Sequence, residues 1–201
     1  MQSTHNQIVS AIKKKGRGKI FFAKDFMLFG TNIAVRHALS RLCQDEFIVR
    51  LSMGIYLYPK NDEQIGILYP SIEDIAEAIA KREKARLIPT GAYALNALGL
   101  STQVPMRVVF LTDGTPRVIK IGGKASIRFK KVVPKYLSFK GKLTTLVIFA
   151  LKEIGKGNAT DSDFQKIKEA LSHETYATIL HDAKLAPDWI SEIMLKLSQN
   201  E

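Results

Sequence analysis

Between positions 32 and 41 the chain carries side chains able to read a nucleic acid. Asn32, Ile33, Arg36, His37, Ser40 and Arg41 recur at the spacing that lines them along one side of a helix. There an amide can bond adenine at two atoms, a guanidinium can do the same with guanine, and Ile33 can meet a thymine methyl. Thr31 precedes them. Upstream lie Lys15, Arg17 and Lys19, and downstream Arg50, cations of the kind that grip phosphates. The chemistry implied is sequence-specific contact with double-stranded DNA.

Residues 21–58, FFAKDFMLFGTNIAVRHALSRLCQDEFIVRLSMGIYLY, have to position these groups. The pattern predicts a short helix over 24–29 with Phe22, Phe26 and Phe29 turned inward, and a stop at Gly30. Thr31 is placed to cap a second helix over 32–44. On that helix Val35, Ala38, Leu39 and Leu42 form an apolar face opposite the polar one. Two strands, 47–51 and 55–58, alternate around Ser52-Met53-Gly54, where Gly54 supplies the positive φ of a hairpin. An amphipathic helix over 4–15, stopped by Gly16 and Gly18, supplies the packing partner. Helix, turn, helix and hairpin in that order predict a winged helix-turn-helix with its second helix in the major groove. The competing reading is a module of the same shape used for protein contacts.

The 201 residues carry a net charge of +11 that is unevenly placed. Residues 1–60 hold 10 Lys/Arg against 3 acids, and residues 105–145 hold 10 against 1, while 61–104 and 146–201 are mildly acidic. Two basic blocks predict two localised anionic contacts. The single cysteine, Cys43, excludes an internal disulfide and fits a reducing cytoplasm. The N-terminal stretch has its charges after its apolar residues, unlike a signal peptide. The longest apolar run, 146–151, is too short to span a membrane.

The polar break at 58–63 predicts a boundary between a domain over 1–60 and a second over 61–201. Ser71, with Asp74 three residues on, starts a helix over 72–87, and Pro89 closes it. A short small-residue helix follows over 91–99, with Asn96 read as a satisfied core amide. Residues 104–133 read as antiparallel sheet in three strands, turning at Asp113-Gly114 and at Gly122-Gly123. On the third strand Ala125, Ile127 and Phe129 alternate with Lys124, Ser126, Arg128 and Lys130, giving one apolar and one basic face. Arg107 and Lys120 join the basic face if register allows. That face is either a second anion-binding surface or an ordinary solvated side of a sheet. Four helices close the chain, over 143–154, 161–171, 174–181 and 188–197, with Trp189, Ile190, Ile193, Met194 and Leu197 as core.

No catalytic residue, metal site or cofactor is predicted. The four histidines are scattered, and one cysteine cannot build a zinc cluster. The GRGK string at 16–19 lacks phosphate-loop spacing. Asp161-Ser162-Asp163 reads as a helix start with acids against the dipole. The second basic block contains a single acid, Asp113, whereas a nucleic-acid-processing enzyme needs clustered carboxylates for magnesium.

The segments KIFFAKDF, AVRHALSRL, GIYLYPK, GAYALNALGLSTQVP and VFLTDG resemble a bacterial winged-helix family related to AbiEi-type antitoxins of type IV toxin–antitoxin systems. The resemblance implies a repressor-like N-terminal domain that binds inverted repeats in its own promoter, with Arg36 and Arg41 in the recognition helix. It also implies a C-terminal domain needed for antitoxicity and functional pairing with a nucleotidyltransferase-like toxin. The expectation is therefore a cytoplasmic α+β protein: an N-terminal winged helix-turn-helix joined to a C-terminal domain with a small antiparallel sheet flanked by helices. The expected function is non-enzymatic, an autoregulating antitoxin-like transcriptional regulator. The alternatives are a stand-alone regulator whose C-terminal domain binds a ligand or dimerises, and a nucleic-acid-processing enzyme.

Overall fold

Ser3 and Gly16 bracket the first element of the computed structural model, which describes residues 3–123 and 125–199. Ser3 Oγ accepts from the Asn6 N–H at 3.3 Å, and Gly16 leaves the helix at φ 85°. Helix α1 (Thr4–Lys15) therefore has defined ends, and it buries Ile8 and Ile12. Strand β1 (Ile20–Phe22) and a 3₁₀ helix (Ala23–Phe29) follow. Helix α2 (Asn32–Gln44) starts at Thr31, whose Oγ1 accepts from the Ala34 N–H at 3.2 Å. Strands β2 (Val49–Ser52) and β3 (Ile55–Leu57) form a hairpin, and β1 adds to its other side in the order β1-β3-β2, all antiparallel. This element order is compatible with a winged helix-turn-helix.

Its core is one cluster. Val35, Ala38, Leu39 and Leu42 of α2 pack with Ile8 and Ile12 of α1 and with Phe21, Phe26, Ile48 and Tyr56. Phe21 meets Phe26 edge-on at 5.5 Å and stacks on Tyr56 at 5.8 Å. Two expectations are corrected here. The helix over 24–29 is a 3₁₀ turn, and Phe21, not Phe22, is the fully buried aromatic, because Ile20–Phe22 is a strand whose middle residue faces inward.

The chain divides into two compact units, Met1–Ile79 with Lys120–Lys124, and Ala80–Ile119 with Ala125–Glu201. The polar break at 58–63 lies inside the first unit. That unit continues through a short ribbon, β4 (Asn61–Asp62) with β5 (Gly66–Ile67), into helix α3 (Ile72–Glu83). Ser71 and Asp74 cap α3 reciprocally, the Ser71 N–H bonding Asp74 Oδ2 at 2.9 Å and the Asp74 N–H bonding Ser71 Oγ at 3.0 Å.

The second unit contains β6 (Leu87–Pro89), α4 (Ala92–Ala97), β7 (Arg107–Thr112), β9 (Ala125–Lys131) and all but the last two residues of β8 (Arg117–Ile121). Four helices follow: α5 (Lys142–Ile154), α6 (Asp161–Ser172), α7 (Tyr176–Ala183) and α8 (Asp188–Ser198). The sheet order is β6-β7-β9-β8. Strand β6 pairs antiparallel with β7, but β7 pairs parallel with β9. The Asp113-Gly114 turn therefore does not join paired neighbours as expected. Helix α3 also stops short of 87, and Pro89 ends strand β6 instead of closing that helix. Helix α5 is buried along Thr144–Leu151 and gathers Ile167, Leu171, Ile179, Ile190 and Met194 from α6, α7 and α8 around it. Asn96 is a satisfied amide, its Nδ2 donating to Ser101 O at 3.2 Å. The protein is α+β, with small sheets flanked by helices.

Candidate nucleic-acid interface

Helix α2 is two-sided because its apolar residues fall at i, i+3, i+4 and i+7 and bury that stripe. Thr31, Asn32, Ile33, Arg36, His37, Ser40 and Arg41 all remain exposed on the other side, Ile33 at 70%. Thr31 is occupied as the cap. The side chains of Asn32, Arg36, His37, Ser40 and Arg41 have no hydrogen bond or ion pair among the described residues. Five polar groups and one apolar one are thus presented together with their bonding capacity unspent.

Arg50 is exposed on β2. Tyr56 is buried beneath, and burial pushes its phenol above the ordinary value while the Arg50 and Arg36 guanidinium groups pull it back. Two cations from different elements, α2 and β2, therefore act on one buried ring. Arg50 Nε also reaches Ser52 O at 3.4 Å.

The upstream cations are less free than their loop position implies. Lys15 forms an ion pair with Asp25 at 3.6 Å. The Arg17 guanidinium lies 4.9 Å from the Tyr58 ring centre and its Nη1 donates to Pro59 O at 3.0 Å. The loop itself is tied down, because Gly18 N–H bonds Tyr58 O at 2.6 Å and Tyr58 N–H bonds Lys19 O at 3.0 Å. The stretch is thus anchored to the end of β3. Of the three, only Lys19 has an exposed head without a partner.

Register settles the composition of the second basic face. Arg107 pairs with Ser126, Val109 with Arg128 and Leu111 with Lys130. Parallel partners share a side, so Arg107, Arg128 and Lys130 stand on one face, all exposed, with Val108, Phe110, Ile127 and Phe129 buried on the other. Lys120 is exposed on β8 and is grouped with the first unit, and Lys124 lies outside the described residues. The face carries cations without amides or aromatics.

One polar cluster gives little sign of itself in the sequence. Asp182 on α7 is fully buried, and its carboxylate accepts from Lys140 N–H at 3.0 Å, Gly141 N–H at 2.9 Å and Thr144 Oγ1. His181 Nδ1 lies 2.8 Å away. Burial pushes this carboxyl up, but the bonds from Thr144, His181, Gly141 and Lys140 outweigh it and hold it below the usual Asp value. The groups served are the open donors at the start of α5, where Gly141 offers no side-chain cap and Glu174 bonds the Leu143 N–H at 2.9 Å. A Cβ at Gly141 would collide with Thr144, Glu174 and Thr178. The one signal is an acid on the buried stripe Ile179, Asp182, Ala183 of α7.

Asp161 and Asp163 begin α6, where Asp163 and Thr160 cap one another. Among the described residues no three His, Cys, Asp or Glu side chains gather as metal ligands, and no helix is long and apolar enough to cross a membrane.

The chain belongs to a family of unknown function, DUF6088, whose profile matches residues 7–179. No curated protein matches it. Among solved structures it is similar to the crystal structure of the RV2827C protein from Mycobacterium tuberculosis. That likeness has 13% identity and a TM-score of 0.46, covering 98% of this chain and 82% of the other.

Proposed function

We propose that this member of the family is a DNA-binding transcriptional regulator that places α2 in the major groove. The observation that carries the reading is the outer face of α2: Asn32, Arg36, His37, Ser40 and Arg41 are exposed and unpartnered beside Ile33. This mixture of a bidentate amide, guanidinium groups, a hydroxyl and an apolar tip matches the donor, acceptor and methyl pattern of base edges. Lys19 and Arg50, both exposed, supply phosphate contacts, with Arg17 and Lys15 contributing charge from fixed positions. The resemblance to AbiEi-type antitoxins adds the biological setting: an autoregulated promoter with inverted repeats and functional pairing with a nucleotidyltransferase-like toxin. Co-expression with such a gene from the same locus tests that setting separately.

The test of DNA reading is a gel shift on duplex recovered from a randomised pool. Arg36→Ala is expected to weaken the selected duplex by roughly tenfold or more and to relax the preference at one base pair, with little change on random duplex. Equal affinity and equal preference in the variant would overturn the assignment.

A further inference from the structure

We propose that Met53, at the tip of the β2–β3 wing, is a minor-groove wedge: it presses its side chain against a base step next to the α2 site and bends the duplex there. This deepens the DNA-binding reading and rests on it. An isolated exposed apolar residue is ordinary on a protein surface, so the inference needs more than the 86% exposure of Met53.

The first reason is rigidity. Ser52 pairs with Ile55 across a turn of two residues, and Gly54 takes the φ of 73° that the turn requires. Gly54 O then accepts from the Ala23 N–H at 3.0 Å, tying the tip to the start of the 3₁₀ helix. Met53 is therefore held out on a braced turn, and binding has little backbone freedom left to remove.

The second reason is the company it keeps. The β2–β3 register shifts between Arg50 and Ser52, a bulge that adds local twist. Arg50 Nε reaches back to Ser52 O, which keeps the guanidinium beside the turn. A cation next to an unbranched apolar tip is the pairing that minor-groove proteins use, the cation for the groove's negative potential and the apolar group for unstacking.

The third reason weighs against an apolar docking patch on the hairpin itself. A docking patch needs contiguous apolar area, but Leu51 and Ile55 beside Met53 are each only 5% exposed. Within the hairpin, 49–57, the single charge is Arg50. One projecting apolar side chain on a hairpin whose one charge is a cation suits a polyanion with slots between stacked bases.

The wedge makes flexible pyrimidine–purine steps the favoured sequence beneath the wing, since these unstack most readily. The experiment uses the full chain and the duplex recovered from the randomised pool, labelled at both ends so that bending is read as energy transfer. Wild-type protein is expected to shorten the end-to-end distance. Met53→Ala is expected to lose most of that shortening, to bind the duplex roughly fivefold more weakly and to lose the preference at the flanking step. Met53→Leu should retain most of the bend. Thermal melting of both variants should match wild type, because the side chain is exposed. Undiminished bending and step preference in Met53→Ala would overturn the wedge while Arg36→Ala still reports on the DNA reading. Loss of self-association in Met53→Ala would overturn it in favour of a contact between copies. If no duplex is recovered from the pool, the DNA reading falls and takes the wedge with it.

Discussion

The pocket around Asp182 and the outer face of α2 are both rich in polar groups, and they are built in opposite ways. At Asp182 the carboxylate meets donors from Lys140, Gly141 and Thr144 and the ring of His181, and it is closed to solvent. On α2 the side chains of Asn32, Arg36, His37, Ser40 and Arg41 make no hydrogen bond or ion pair among the described residues and are open to solvent. A buried polar group without partners is costly, so satisfaction inside marks a structural role. An exposed group has no such requirement, and what distinguishes α2 is the variety of its unspent bonds. Mutations in the two places should therefore separate folding from binding in this chain.

The largest effect is expected at Asp182. Asp182→Asn replaces one acceptor oxygen by a donor that must face the N–H of either Gly141 or Lys140, and it removes the charge from these bonds, a loss on the order of 3 kcal/mol. For a chain of this size that lowers the melting temperature by about 6–12 °C. The pH dependence has a definite sign. The folded carboxyl is held below its ordinary value, so its stabilisation is complete above the unfolded pKa of about 3.9 and is lost as pH falls through the folded one. Wild type should therefore lose stability on acidification below that point, and the Asn variant should lose less of it. Melting curves from pH 7 to pH 3 check this, and parallel curves for the two proteins would assign the lowered carboxyl no stabilising part. DNA affinity at pH 7 and low temperature should be unchanged, in contrast to Arg36→Ala.

The two features also differ in how openly the sequence announces them. Helix α2 is legible to the residue, because a cap at Thr31, an apolar repeat and a polar face are all local signals. The same holds for Gly54 in the wing and for Ser71 with Asp74. Strand β1 is hidden: Ile20–Phe22 has no alternation to show, and it becomes a strand because β3 offers an open edge. The parallel pairing of β7 with β9 is hidden for the same physical reason. A turn such as Thr112-Asp113-Gly114 reports that the chain bends but not which distant strand it will meet. Here Asp113 is spent elsewhere, accepting from the Arg86 N–H at 2.7 Å. Asp182 has only its place on an apolar stripe to reveal it. Local chemistry is readable in one dimension, and partners brought from distant parts of the chain are not.

A smaller effect separates charge from reading. Arg107, Arg128 and Lys130 share one face with Ser126, which lacks the amide and the exposed apolar tip of α2. If this face meets DNA, its cations are expected to add more affinity than specificity. Replacing Arg128 and Lys130 by alanine is then expected to lower the salt slope of binding by up to about 0.9 for each phosphate no longer neutralised. The ratio of affinities for selected and random duplex should stay the same. An unchanged slope would leave the face as the solvated side of the sheet, and a changed ratio would give it a reading role that its chemistry does not support.

The smallest effect is the sharpest test of the α2 face, because it changes the DNA and leaves the protein intact. Ile33 is the one apolar side chain among the exposed groups of α2, at 70% exposure, and its only base partner in the major groove is a thymine methyl. Replacing each thymine of the selected duplex by deoxyuridine removes that methyl and leaves every hydrogen-bonding edge unchanged. At one position the substitution should weaken wild-type binding by about fourfold, matching the roughly 0.8 kcal/mol of one buried methyl-sized group. Ile33→Ala should bind the thymine and uracil duplexes equally, so that the effects of protein and DNA changes do not add. If every uracil duplex binds wild type as the thymine duplex does, Ile33 is an ordinary exposed residue and α2 reads through its polar groups alone. If the loss persists in Ile33→Ala, the methyl is met by another side chain, and the orientation of α2 in the groove must differ from the one its exposed face implies.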